Sequence, residues 1–267
     1  MALPSQDFEL PPKPAPWFVA WFCEISRRKM KKRFHQVRIT KASVSNLSEL
    51  ETGPVVAFAN HSSWWDPLIS MILKARFFPH QTGYTPIDAV MLERYGIFRK
   101  LGYIGIDRES KTSASRQFLR ISEAILQQPN SMIWLTPQGR FVDARERPLT
   151  FERGIAHLAK RVPETRFLPL AIEYPFWEES RPEALIHLGK PMVPDSTLNF
   201  KELTSEFETA LEEAQDFLAE RAISRDPNEF EPMIQGSAGV GGFYDTWRRF
   251  RLLVQGRKPD ELKHSNL

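Results

Sequence analysis

Residues 54–73 read Pro-Val-Val-Ala-Phe-Ala-Asn-His-Ser-Ser-Trp-Trp-Asp-Pro-Leu-Ile-Ser-Met-Ile-Leu, an apolar run that stops abruptly at two groups able to handle protons, His61 and Asp66. Val55 to Ala59 is short, continuous and contains β-branched residues, which suits a strand buried on both faces of a parallel sheet. Asp66 followed by Pro67 predicts an N-cap and a first helical position, because a carboxylate accepts orphan N–H bonds and proline loses no needed donor there. Asn60 to Asp66 is then a strand-to-helix crossing. In open α/β sheets, ligands bind at such crossings, at the carboxyl ends of strands.

His61 and Asp66 stand five residues apart, an advance of about 500° on a regular helix, so they meet only if the segment turns. If it turns, the carboxylate fixes the imidazole tautomer and stabilises the imidazolium, leaving the other ring nitrogen as a free base. The plainer reading is a helix cap at Asp66 and a hydrogen-bonded loop histidine at His61.

Outward from this stretch, strands and helices alternate. Val37 to Thr40 reads as a first strand, and Ser43 to Thr52 as a mostly polar connection. Asp88 to Lys100 is predicted to be a helix, Tyr103 to Ile106 a short strand, and Ser113 to Gln128 a helix with Phe118, Ile121 and Ile125 on one stripe. Ser131 to Leu135 is predicted to be a buried strand after the break at Pro129-Asn130. Glu152 to Lys160 continues as helix, with strands at Arg166 to Tyr174 and Ala184 to Leu188. Lys201 to Arg221 is a long helix with Leu203, Phe207, Leu211, Ala214 and Leu218 on one stripe. The pattern predicts an α/β fold with a largely parallel central sheet flanked by helices.

The termini differ from this core. Five prolines fall within residues 1–16, so an extended or disordered leader is expected. From Trp17 to about Val37 a helix joins the aromatic Trp17-Phe18-Val19-Ala20-Trp21-Phe22 to a cluster of six Lys and Arg between Arg27 and Arg33. Aromatics favour the headgroup boundary and each basic residue adds on the order of 1 kcal/mol of attraction to an anionic membrane, so membrane contact is expected ahead of a solvated basic face. No nucleic-acid-binding motif accompanies the cluster, and no nucleic-acid partner is expected. Gly236 to Gly242 reads as a hinge lacking the full dinucleotide fingerprint, and Phe243 to Val254 as a second basic amphipathic helix.

The 267 residues suffice for one large domain. The single Cys, Cys23, excludes an intramolecular disulfide and reads as a small buried hydrophobe, which fits a reducing cytoplasm. No apolar stretch reaches the ~18 residues of a spanning helix, and the acidic N-terminus is unlike a secretory signal. The other histidines lack paired metal-ligand spacing, and no Gly-x-Ser-x-Gly elbow is present, so neither a zinc site nor a serine hydrolase is expected.

Asn60-His61-Ser62-Ser63-Trp64-Trp65-Asp66-Pro67 resembles the first, His-x4-Asp block of the glycerolipid acyltransferases typified by bacterial 1-acylglycerol-3-phosphate O-acyltransferase. Further blocks follow in that family's order. Gly105-Ile106-Asp107-Arg108 resembles the second. Pro137-Gln138-Gly139-Arg140 resembles a variant of the third, Pro-Glu-Gly-Thr-Arg, with Phe151-Glu152-Arg153-Gly154 echoing the Phe-Lys-x-Gly after it. Leu168-Pro169-Leu170-Ala171-Ile172 resembles the fourth. Several blocks in register over residues 36–190 are more specific than any one motif.

The resemblance implies an acyltransferase domain over 37–223, between the leader (1–16) with its membrane-surface helix (17–36) and the hinge and basic helix of 224–267. It implies transfer of an acyl group from acyl-CoA or an acyl carrier protein to a lipid hydroxyl, 1-acylglycerol-3-phosphate by default. No cofactor is needed beyond that co-substrate. His61 would be the general base and Asp66 its orienting carboxylate. Arg108, Gln138, Gly139 and Arg140 would bind the acceptor, since guanidinium forks match phosphate oxygens. The expected location is the cytoplasmic, inner face of an anionic membrane, held peripherally. Two departures bear on the acceptor: Gln138 replaces the family's Glu, and Phe141 stands where its Arg would be. Another lipid alcohol, such as a glycosylated isoprenoid, is therefore an alternative acceptor, and a non-catalytic lipid-binding scaffold is the alternative from another class.

Overall fold

A computed structural model describes residues 13–48, 50, 53–107, 111–195 and 197–236. In chain order its elements are α1 (Pro16–Arg33), β1 (Gln36–Thr40), α2 (Lys41–Ser48), β2 (Val55–Ala59), α3 (Asp66–Phe77), β3 (Thr82–Asp88), α4 (Ala89–Arg94), a 3-10 turn (Gly96–Leu101), β4 (Tyr103–Ile106), α5 (Lys111–Leu126), β5 (Ser131–Leu135), α6 (Gly154–Arg161), β6 (Arg166–Glu173), β7 (Glu183–Leu188), α7 (Phe200–Ser224) and β8 (Phe230–Gln235).

The eight strands form one sheet in the order β4-β3-β5-β2-β6-β7-β1-β8. β4, β3, β5, β2 and β6 run parallel to one another. β7 turns back antiparallel to β6, β1 follows β7 in parallel, and β8 closes the edge antiparallel to β1. The expected α/β fold with a largely parallel sheet is the one observed.

Every residue of β2 is buried, and the period of two along it divides the core. Val55, Ala57 and Ala59 pack with Leu68, Ile69, Ile72 and Leu73 of α3 and Met30 of α1. Val56 and Phe58 face the opposite layer, with Ile125 of α5, Ile155 and Leu158 of α6, and Phe207 and Leu211 of α7. So α1 and α3 cover one face, and α5, α6 and α7 the other.

This layering creates the crevice. From β2 the chain crosses by α3 to β3, on the β5 side. From β5 it crosses by α6 to β6, on the far side of β2. The loops after β2 and β5 therefore leave adjacent strands in opposite directions, the topological switch at which open α/β sheets bind ligands.

Several boundaries differ from the sequence reading. Ser43 to Thr52 is not all connection, since α2 occupies Lys41–Ser48. Asp88 to Lys100 is not one helix: Asp88 ends β3 and its carboxylate caps α4 by accepting from the Val90 N–H, and the 3-10 turn follows. The first helix ends at Arg33, so His35 and Gln36 belong to the approach and start of β1. The sheet also runs past residue 223, because β8 supplies its last strand. The expected C-terminal helix from Phe243 to Val254 lies outside the described residues, as do most of the 1–16 leader and most of the Gly236 to Gly242 hinge.

Candidate active site

Asn60 sets the exit from β2. Its buried amide donates to the Ile172 carbonyl at 3.0 Å and accepts the Ile172 N–H at 2.9 Å, which continues the pairing with β6 one rung beyond the strand. The next residue is then delivered to the sheet's carboxyl edge at a fixed height.

His61 is held there at several points. Its backbone N–H donates to Gln138 Oε1 at 3.1 Å, and its carbonyl accepts the Val142 N–H at 2.8 Å. Nδ1 lies 2.8 Å from Asp66 Oδ2. Because a carboxylate only accepts, Nδ1 carries a proton, and in the neutral imidazole the lone pair then lies on Nε2. Nε2 has no partner among the described residues. The Phe141 ring stacks on the imidazole with centroids 4.1 Å apart and 28° between planes.

The segment between the pair does turn, through the Asp66 N–H to Ser63 carbonyl bond at 3.2 Å. Asp66 is 5% exposed. It is the first residue of α3 rather than its N-cap, a place that falls to Trp65, which makes no side-chain cap bond. The Asp66 carboxylate points back into the loop, with Oδ2 accepting the Ser63 N–H at 3.0 Å as well as His61, and Oδ1 accepting the Tyr174 hydroxyl at 2.7 Å. Of the two tryptophans, Trp65 packs edge-on against Phe34 at 5.3 Å, while Trp64 is 65% exposed.

The third block divides by residue. Gln138 is buried and its amide oxygen braces the His61 backbone, so it is part of the frame that holds His61. Gly139 sits at φ +68°, where a side chain is strained, and closes a turn by donating to the Thr136 carbonyl at 3.0 Å. Arg140 points away into an exposed ion pair with Glu146 at 3.0 Å. Arg145 and Arg147 are paired as well, with Asp143 at 2.8 Å and Asp216 at 2.6 Å. The Arg145 guanidinium holds the Asp143 carboxyl well below its usual range. Arg108 lies outside the described residues.

The structure thus brings His61, Asp66 and Gln138 together, with Gly139 at the same turn, and separates Arg140 from them by its pairing. Three contributors were missed from sequence: Asn60, Phe141 as a stacking partner, and Tyr174. Tyr174 directly follows β6, two residues past the fourth block, and a hydroxyl there is the only signal the sequence offered.

A family model described as Acyltransferase matches residues 41–173. No curated protein matches the chain by sequence. Among solved structures, the 1-acyl-sn-glycerophosphate (LPA) acyltransferase PlsC from Thermotoga maritima is similar in fold, with a TM-score of 0.55 at 15% identity over 76% of this chain and 80% of that one. The matched span begins with α2 and ends with β6, so it holds the crossing, the His61–Asp66 contact and the Gln138 turn. The chain belongs to the acyltransferase family and is an acyltransferase enzyme.

Proposed function

We propose that the enzyme transfers a fatty acyl group from acyl-CoA or an acyl carrier protein to a lipid hydroxyl, with His61 as general base and Asp66 as its orienting carboxylate. The observation that carries this reading is the 2.8 Å contact of His61 Nδ1 with Asp66, which leaves Nε2 unpaired at the switch point of the sheet. Nε2 takes the acceptor's hydroxyl proton as its oxygen attacks the thioester carbonyl carbon. The C–S bond then breaks, and the imidazolium returns the proton to the departing thiolate, so no enzyme nucleophile is needed. The buried carboxylate stabilises the imidazolium between the two proton transfers.

The default acceptor is lysophosphatidate, as the family resemblance implies, with Arg108 as its phosphate ligand. A lipid alcohol without phosphate is a second reading, favoured by two observations. Phe141 lays an aromatic face on the base where the family has Arg. Arg140, Arg145 and Arg147 are each committed to a carboxylate of the chain.

The enzyme would work peripherally at the inner, cytoplasmic face of an anionic membrane. No described helix is long and apolar enough to cross one. Support comes from Trp17 and Trp21 on α1, 66% and 53% exposed, and from Trp64, over whose ring Lys29 of α1 sits at 6.0 Å.

The test is a panel assay of purified protein with labelled acyl-CoA and acyl carrier protein against lysophosphatidate and neutral lipid alcohols. His61→Ala should lower transfer by ~10² to 10⁴, the usual contribution of a general base, while circular dichroism stays unchanged. A folded variant with wild-type turnover removes His61 from the mechanism. Thioester loss without acylated lipid indicates hydrolysis, and no turnover with any acceptor favours the scaffold.

A further inference from the structure

Asp66 receives three donors although His61 needs only one of them. The third comes from outside the loop: Tyr174, just past β6, donates its hydroxyl to Asp66 Oδ1 at 2.7 Å. The Phe34 ring packs behind it, with centroids 5.6 Å apart, so this hydroxyl is aimed by the core. We propose that Tyr174 is a positioning residue for acyl transfer, which holds the Asp66 carboxylate toward His61 and takes up part of its charge. The inference rests on the reading of His61 as the general base.

The reasoning follows from how a carboxylate distributes its charge. Each donor it accepts withdraws charge that would otherwise stabilise the imidazolium on Nδ1. The Tyr174 hydroxyl thus holds Asp66 in place and lessens the charge it turns toward Nδ1, so its removal should favour the imidazolium. Tyr174 itself remains a donor throughout, since burial, reinforced by the Asp66 charge, pushes its hydroxyl well above the usual range.

Other ionisable groups face this edge from the surrounding elements. Glu173 ends β6 among Arg147, Arg145 and Asp143, and burial raises its carboxyl. Lys29 of α1 lies over Trp64. Beyond Phe34, Glu183 at the start of β7 accepts from His35 at 2.5 Å and Arg38 at 3.0 Å. None of these makes a hydrogen bond to His61, Asp66 or Tyr174.

Tyr174→Phe keeps the ring and removes only the donor. Two measurements on the full-length protein read its effect: the pH dependence of kcat/KM, and an NMR titration of the His61 imidazole without substrates. Both midpoints should rise by roughly one unit, the size that one charge-assisted hydrogen bond supports. At one pH unit below the wild-type midpoint the variant would then keep about a tenth of wild-type kcat/KM, while the alkaline plateaus stay within about threefold. A structural tyrosine would instead lower the rate equally at every pH, and unmoved midpoints overturn the proposal. If the Phe variant does not fold, 3-fluorotyrosine at position 174 retains the contact as a stronger donor and should lower both midpoints; a shift upward, or none, also overturns it. The titration needs no turnover. Failure of the His61→Ala test would therefore remove the base assignment, whereas an imidazole unaffected by Tyr174 removes this inference alone.

Discussion

At the residue scale, the site depends on single groups that do the work of backbone. Asn60 replaces a rung of the sheet with its side chain, and Gln138 replaces another below His61. Asn60→Ala should leave the Ile172 N–H and carbonyl buried without partners, at a cost of ~1–3 kcal/mol in urea unfolding. It should also lower kcat more than it raises KM, because His61, the proposed base, loses its fixed height. If stability and kcat both match wild type, Asn60 is not what sets the crossing. The meeting of His61 and Asp66 was legible from sequence because residue type and motif pattern coincide there. The contacts of Tyr174 and Phe141 were not. Tyr174 lies 108 residues from Asp66 along the chain, and no local rule connects them. Phe141 was visible only as a missing arginine, and its stacking on His61 required the fold of the loop after β5.

At the element scale, the sequence was most readable where one period dominates. Continuous burial marked β2 and β5, and the helical stripe marked α7, whose Asn199 and Glu202 also form a capping box. β3 and β8 were missed because each contains a proline, which ordinarily argues against a strand. Pro86 lies where β3 still pairs with β4 but has passed the end of its pairing with β5, and Pro232 lies on the edge strand beside a register shift. α2 was missed because its sequence is polar and it buries only Ser43. α1 has the aromatic first half and basic last turn that its sequence spells out, and part of it packs on the domain. Phe18 packs with Met71 of α3 and Leu101, and Cys23 is half-buried, its thiol 3.4 Å from the Met71 carbonyl. Trp17 and Trp21, one turn apart, remain exposed on the same side. Arg27 and Arg28 are both tied to Glu24 at 2.7 Å, which leaves the tryptophans a larger share of any membrane attachment. A Trp17→Ala/Trp21→Ala double variant should weaken sedimentation with anionic liposomes at least tenfold and keep its thermal midpoint. Raising salt should weaken wild-type binding too, by screening over roughly 8 Å. Binding untouched by the double variant would place the membrane contact elsewhere.

At the scale of the whole molecule, the antiparallel return of β7 brings the starts of β7 and β1 to the edge where β2, β5 and β6 end, so His61 and Asp66 share that edge with the ion pairs of Glu183 to His35 and Arg38. The opposite ends of β7 and β1 carry a different kind of polar group, which composition could not reveal. His187 is buried there, 2.7 Å from Thr40 Oγ1 and stacked on Phe217 of α7 at 4.2 Å. Burial, and secondarily the Arg221 charge, pull its pKa down from 6.5 to about 4. The sign of the consequence is fixed. Below pH 6.5 the unfolded chain takes up a proton that the native protein refuses, so folding stability falls as pH drops from about 6.5 to about 4 and the loss ends below that. The slope amounts to about 1.4 kcal/mol per pH unit over this window. Glu173 and Glu206 act in the opposite direction, because burial raises their carboxyls and the native state gains protons first. Total stability against pH would therefore mix the contributions, and only a difference isolates His187. His187→Gln keeps a polar group toward Thr40 but cannot titrate, so urea unfolding of the variant should be less stable than wild type at pH 7 and should lose distinctly less stability on going to pH 4.5. Parallel wild-type and variant profiles across that interval would mean that His187 is protonated in the native protein as readily as in the unfolded chain, and that this end of the sheet is wetter than its packing implies.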